Sequence, residues 1–133
     1  MAVKLNQIFF CKQCGNLIEV VHPGGGELSC CNEKMTLLVP NTVDAKHEKH
    51  VPVVKRYGNI CHVMIGVEAH PMMVEHHIVW IEIRFNDVVI RKFMKPGDPA
   101  EAEFCGVPDD AKVIARAYCN LHGLWSSCGT CEN

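Results

Sequence analysis

The chain has 133 residues and a formal net charge of −2. That length bounds the protein to one domain, or one domain plus a small module. The slightly acidic balance excludes a global basic footprint for nucleic acid, and no apolar run approaches the roughly 18 to 20 residues of a membrane span.

Nine cysteines and eight histidines are the compositional signal. An odd cysteine count without a recognisable leader argues against a secreted disulfide framework. In a reducing compartment, clustered cysteines and histidines point to metal. The start, MAVKLNQIFF, lacks a small-residue cleavage site and does not read as a signal peptide. A soluble, cytoplasmic metalloprotein with no membrane and no nucleic-acid partner is the resulting expectation.

In chain order, residues 1–38 contain Cys11-Lys12-Gln13-Cys14, the glycine run of HPGGGE and the pair Cys30-Cys31. So short a unit with few large apolar residues cannot bury enough surface to fold alone, and a metal would supply the missing stability. Pro40-Asn41 then reads as a turn or linker. From residue 39 onward the pattern is β. Val51 to Val54 is a β-branched run, and Ile60 to Val67 alternates loosely. Ile78 to Phe85 is apolar with Glu82 and Arg84 on one parity. Asn86-Asp87 supplies a hairpin turn before VVIRKF. Lys95 to Asp98 is another turn, and Lys112 to Tyr118 a last strand. No segment has a long helical period. Short strands separated by turns predict an all-β sandwich or barrel over residues 39–133, after a metal module over 1–38.

Cys11, Cys14, Cys30 and Cys31 form the first candidate metal site. A CxxC turn brings two thiolates to one ion and aims backbone N–H groups at the sulfurs. Four thiolates in a tetrahedron suit zinc or mononuclear iron. The adjacent pair Cys30-Cys31 departs from the second CxxC of a zinc ribbon, and adjacent residues reach one ion only with angular distortion.

The second candidate site draws on His50, His70, His76, Cys119 and His122, at the ends of predicted strands. A soft thiolate beside imidazoles suits iron or copper redox chemistry more than zinc hydrolysis. Five protein ligands leave one octahedral position for a small molecule.

At these residues the chain resembles desulfoferrodoxin, the two-iron class of superoxide reductase. The resemblance is carried by CKQCG at Cys11 to Gly15, HPGGGELSCC at His22 to Cys31 and NTVDAKHEKHVPV at Asn41 to Val53. It continues through AHPM at Ala69 to Met72, WIE at Trp80 to Glu82, RKFMKPGDPAEAEFC at Arg91 to Cys105 and ARAYCNLHGLW at Ala115 to Trp125. It implies a desulforedoxin-like module followed by an immunoglobulin-like β-sandwich. It further implies two mononuclear non-haem irons as cofactors. One is held by Cys11, Cys14, Cys30 and Cys31. The other has His50, His70, His76 and His122 in its equatorial plane and Cys119 axial. His76 rather than His77 is the implied ligand, and His77 stands where relatives carry an aromatic.

The implied activity is one-electron reduction of superoxide to hydrogen peroxide. Lys49 would supply local positive potential for the anion, with Lys46 assisting. Glu48 would occupy the sixth position in the resting ferric state. The implied electron donor is rubredoxin or a similar carrier, and the implied assembly is a homodimer. Competing readings are a rubredoxin-like electron carrier without catalysis, a zinc-stabilised binding module and a dismutase.

His22, His47 and His62 have no ligand role in this reading. Cys61 and Cys105 are expected to be small buried hydrophobes, and Trp80 and Trp125 core or site-wall aromatics. The closing SSCGTCEN lies beyond the resemblance. Cys128 and Cys131 have no ligand role in the family and are expected to be a flexible dithiol, disulfide-forming or adventitiously metal-binding.

Overall fold

The computed structural model describes residues 2–42 and 50–128. They fall into two compact units that divide between Val39 and Pro40. Every named element is a β-strand, and no helix is long and apolar enough to cross a membrane.

The first unit holds β1 (Ile8–Phe10), β2 (Leu17–Glu19), β3 (Ser29–Cys30), β4 (Glu33–Lys34) and β5 (Thr36–Leu38). β1 lies between β2 and β5, antiparallel to both, while β3 and β4 form a separate hairpin. Its buried hydrophobic residues are Ile8, Cys11, Val20 and Met35. Strands of two or three residues are too short to show alternation, so none was visible in the sequence.

The second unit contains β6 (Pro52–Tyr57), β7 (Ile60–Ile65), β8 (Ile78–Phe85), β9 (Val88–Phe93), β10 (Glu101–Phe104), β11 (Ile114–Cys119) and β12 (Gly123–Ser126). Two antiparallel sheets result, ordered β10-β7-β6 and β12-β11-β8-β9. One core joins them: Cys61, Val63 and Ile65 from β7 meet Ile81, Ile83 and Phe85 from β8 and Ala115 and Ala117 from β11. This is a three-plus-four sandwich, the strand arrangement of the immunoglobulin-like class.

The strands over 78–85 and 88–93 keep the limits read from the sequence. Phe85 pairs with Val88, so Asn86-Asp87 is a two-residue loop, and Asn86 takes φ +51°. Asparagine tolerates that left-handed conformation better than most residues. β10 and β12 were not foreseen. Pro40-Asn41 is more than a linker: Asn41 N–H donates to Leu124 O (2.9 Å), and Asn41 O accepts from Ser126 N–H (2.8 Å). Cys105 corrects the expectation that it is buried. It is exposed, because Phe104 before it turns into the core and the next residue faces out.

Glu82 and Arg84 share a parity, as the sequence suggests, but Glu82 is sequestered. Its carboxylate accepts from Arg116 Nε (2.6 Å) and from Arg91, with Arg84 Nε at 4.0 Å. Arg91 and Arg116 are its in-register neighbours on β9 and β11. The Arg91 guanidinium also caps the Trp80 ring at 4.6 Å.

Candidate metal centres

In the first unit, Cys11 follows β1, Cys30 closes β3, and all four sulfurs lie within 4.8 Å of one another. Cys14 Sγ is 3.6 Å from Cys30 Sγ, and Cys30 Sγ is 3.8 Å from Cys31 Sγ. A tetrahedron with metal–sulfur bonds of ~2.3 Å has sulfur–sulfur edges of ~3.8 Å. The spacing therefore fits one central ion, whereas a disulfide would need ~2.05 Å. All four are free thiols.

Local backbone explains how the adjacent cysteines converge. Cys31 and Asn32 take φ +53° and +61°, which folds the chain back so that both sulfurs of the pair face one point. On the other side, Gly15 at φ +84° lets the chain turn after Cys14, and its N–H donates to Cys11 O at 2.9 Å. The Cys14 N–H, with that of Gln13, holds the Cys11 thiol down to about 7. Cys30, through hydrogen bonds with the Cys11 and Cys14 thiols, is pushed up to about 12. A cluster of thiols that resists full ionisation by itself is completed by a cation.

In the second unit, ligand candidates come from both sheets. His50 precedes β6 and His70 follows β7; His76 precedes β8, Cys119 ends β11 and His122 precedes β12. The four imidazoles close a ring. Centroids are 4.6 Å apart for His50–His70, 4.6 Å for His70–His76, 5.0 Å for His76–His122 and 4.7 Å for His122–His50. The His50–His76 diagonal is 6.2 Å, and adjacent rings stand 64° to 80° apart. His122 Nδ1 faces His50 Nε2 at 3.0 Å, with Cys119 Sγ 3.9 Å from the same Nδ1. His50, His76, Cys119 and His122 each offer a ligand atom within 4.8 Å of the others, and His70 stands beside them in the ring.

The nitrogens are prepared to ligate. His70 Nδ1 lies 2.7 Å from Pro71 O; a carbonyl only accepts, so Nδ1 carries the proton and Nε2 the lone pair. The Nε2 atoms of His70 and His76 are buried with no hydrogen-bond partner, which a metal would satisfy. Burial is the main force holding His70 down to about 4, and His76 is lowered for the same reason. Both rings therefore stay neutral. Burial raises the Cys119 thiol, against backbone N–H groups of Leu121 and His122 that favour the thiolate. An adjacent ion adds to the second effect. His122 is exposed while His50 and Cys119 are buried, so the site is reached from the His122 side.

His77 is turned away, with Nδ1 3.0 Å from Met73 O. Glu48 and Lys49, together with Lys46 and His47, lie outside the described residues, as does Cys131. Cys128 is disulfide-bonded. His22 is exposed, and His62 pairs with Glu101 at 3.3 Å. Trp125 is a site wall: its indole stacks on His50 and donates from Nε1 to His122 O. Sequence reasoning passed over Asn120, although it sits between two candidate ligands.

The desulfoferrodoxin family model matches residues 42–128, and the model of the desulfoferrodoxin N-terminal domain matches residues 4–38. The first match runs to Cys128, past the tryptophan at which the sequence resemblance stops. A desulfoferrodoxin of Nitratidesulfovibrio vulgaris is 50% identical over 91% of this chain and 94% of its own length. A desulfoferrodoxin homolog of Archaeoglobus fulgidus is 50% identical over 91% and 95%. Among solved structures, the superoxide reductase of Treponema pallidum superposes with a TM-score of 0.74 at 31% identity, covering 90% of this chain and 95% of that one. On these matches, which span both units, the chain belongs to the desulfoferrodoxin family.

Proposed function

We propose that this chain is a superoxide reductase, converting superoxide, one electron and two protons into hydrogen peroxide. The observation that carries this reading is the closed ring of four imidazoles with the Cys119 thiol beside it. Two mononuclear non-haem irons are its cofactors. Cys11, Cys14, Cys30 and Cys31 hold one, and His50, His70, His76, His122 and Cys119 hold the other. The second iron, when bound, supplies the single electron that superoxide takes up.

The chain's own residues do the rest. Neutral imidazoles at His70 and His76 add no positive charge that would oppose a cation. Cys119, its thiolate favoured by the Leu121 and His122 amides, would donate electron density to the bound ion. The exposed His122 edge leaves an approach for a small anion. Lys49, next to His50 in sequence, raises the local positive potential that a mildly acidic protein otherwise lacks, and orients the water that delivers a proton. Glu48, two residues before His50 in sequence, would be the sixth ligand when ferric iron is bound.

Residues 1–38 serve as the four-cysteine iron module and 39–133 as the catalytic domain. Rubredoxin or a similar carrier returns the electron, and the protein works as a cytoplasmic homodimer. The carrier-only alternative leaves the imidazole ring without a purpose.

The test is anaerobic reduction followed by mixing with superoxide, read optically at both centres. Two irons per chain and rapid oxidation of the five-ligand centre, with peroxide as product, are expected. Colourless protein with zinc in both sites would refute the proposal.

A further inference from the structure

The turn that carries Cys119 and His122 is tied to the loop that carries His76 through one residue, Asn120, by its side chain and its backbone N–H. Asn120 Oδ1 accepts from His77 N–H at 2.9 Å, and its Nδ2 donates to Glu75 O at 3.1 Å. Its backbone N–H donates to His77 O at 3.2 Å. All three bonds end on the residues flanking His76.

The need for such a tie follows from the sheet. β11 and β8 stay in register down to Tyr118↔Trp80, then slip, so that Cys119 lies opposite Ile78. A bulge of this kind re-aims a side chain beside a site, but it also interrupts the ladder, which past the slip keeps only the Cys119↔Ile78 pair. Asn120 resumes the pairing past the break, with its amide doing what the next peptide group would have done. On the facing side, residues 73–76 are closed by reciprocal bonds, Met73 N–H to His76 O (2.9 Å) and His76 N–H to Met73 O (3.1 Å). The His76 loop is thus rigid in itself, and Asn120 sets where that rigid piece sits relative to Cys119.

We infer that Asn120 is a positioning residue that fixes the Cys119 sulfur against the His76 imidazole, and so sets both the sulfur–iron geometry and the retention of the ion. It touches neither substrate nor the reacting atoms. It is exposed and outside the core, so its role is separable from folding. Partners that orient metal ligands typically change metal affinity 10- to 100-fold when removed. The inference rests on the proposed ligand set.

Iron-loaded full-length protein is compared with Asn120→Ala and Asn120→Asp. Three quantities are read: iron loss from the five-ligand centre to a chelator, the position of the ferric thiolate charge-transfer band, and the thermal midpoint. The four-cysteine centre serves as an internal control. Asn120→Ala should release the ion about tenfold faster and shift the band, leaving the four-cysteine absorption and the midpoint of the metal-free protein near wild type. Asn120→Asp keeps the acceptor for His77 N–H but loses the donor to Glu75 O. It should fall between the two, and it decides the question alone if the alanine variant does not fold. Variants with wild-type release rates and band position would overturn the assignment of Asn120 only. A wild-type protein without the band would overturn the ligand set itself.

Discussion

Trp125 lies flat on His50, ring centroids 4.6 Å apart and planes 14° from parallel, while its Nε1 reaches 3.1 Å to His122 O. One indole therefore orients two candidate ligands that are 72 residues apart in sequence, His50 and His122. Trp125→Phe keeps the stack and loses the hydrogen bond; Trp125→Leu loses both. The leucine variant should lose iron from the five-ligand centre about tenfold faster than wild type, with phenylalanine in between. Stopped-flow chelation measures this, and wild-type kinetics in both variants would refute the role.

Lys49 should act on encounter rather than on metal binding. Lys49→Ala is expected to lower the second-order rate constant with superoxide, most at low ionic strength, where screening is weakest. Pulse radiolysis across a salt series gives the answer, and an unchanged constant removes Lys49 from the mechanism. Glu48→Ala should retain full iron content while changing the ferric spectrum; an identical spectrum argues against Glu48 as the sixth ligand.

Metal-free protein should be acid-sensitive in a defined window. Burial holds His70 down to about 4 in the fold, against an ordinary value of about 6.5. As pH falls, the unfolded chain takes up this proton first, so the fold loses stability from about pH 6.5 down to about 4. The denaturant midpoint of metal-free protein should be lower at pH 5 than at pH 7, and His70→Gln should flatten the difference. Equal midpoints for the unsubstituted protein at the two pH values would contradict this.

Glu82→Gln should be among the most destabilising single changes in the second unit. The carboxylate is fully buried and its removal leaves Arg116, itself 1% exposed, beside a neutral group. Breaking a buried pair in this way costs about 3–5 kcal/mol. Thermal unfolding of the iron-loaded protein tests the figure, with Lys92→Gln on β9 as an exposed control expected within about 0.5 kcal/mol.

Much of this site is legible in the sequence because ligation restricts residue type. Cysteine and histidine at strand ends stand out where an apolar core residue does not. The strands at 78–85 and 88–93 were legible for a similar reason, since eight- and six-residue β-rich runs flank an Asn-Asp turn. β12 was hidden, because four residues opening on a glycine and wedged behind His122 show no alternation. The burial of Glu82 was hidden as well. Its parity with Arg84 suggests a wet face, and only the cross-strand register reveals Arg91 and Arg116 on either side. Asn120 escaped notice because its partners are backbone groups, and backbone partners leave no mark on composition.

The candidate ligands are divided between the two layers of the sandwich: His50 and His70 hang from the β6–β7 sheet, His76, Cys119 and His122 from the other. An ion bound to all five is a rivet through both layers at one end of the core. Breathing of the sandwich at that end must then strain the rivet before the core shared by β7 and β8 can part. The dissociation rate of iron becomes a gauge of that opening, and amides of β6 and β11 should exchange with solvent at a rate that tracks iron occupancy.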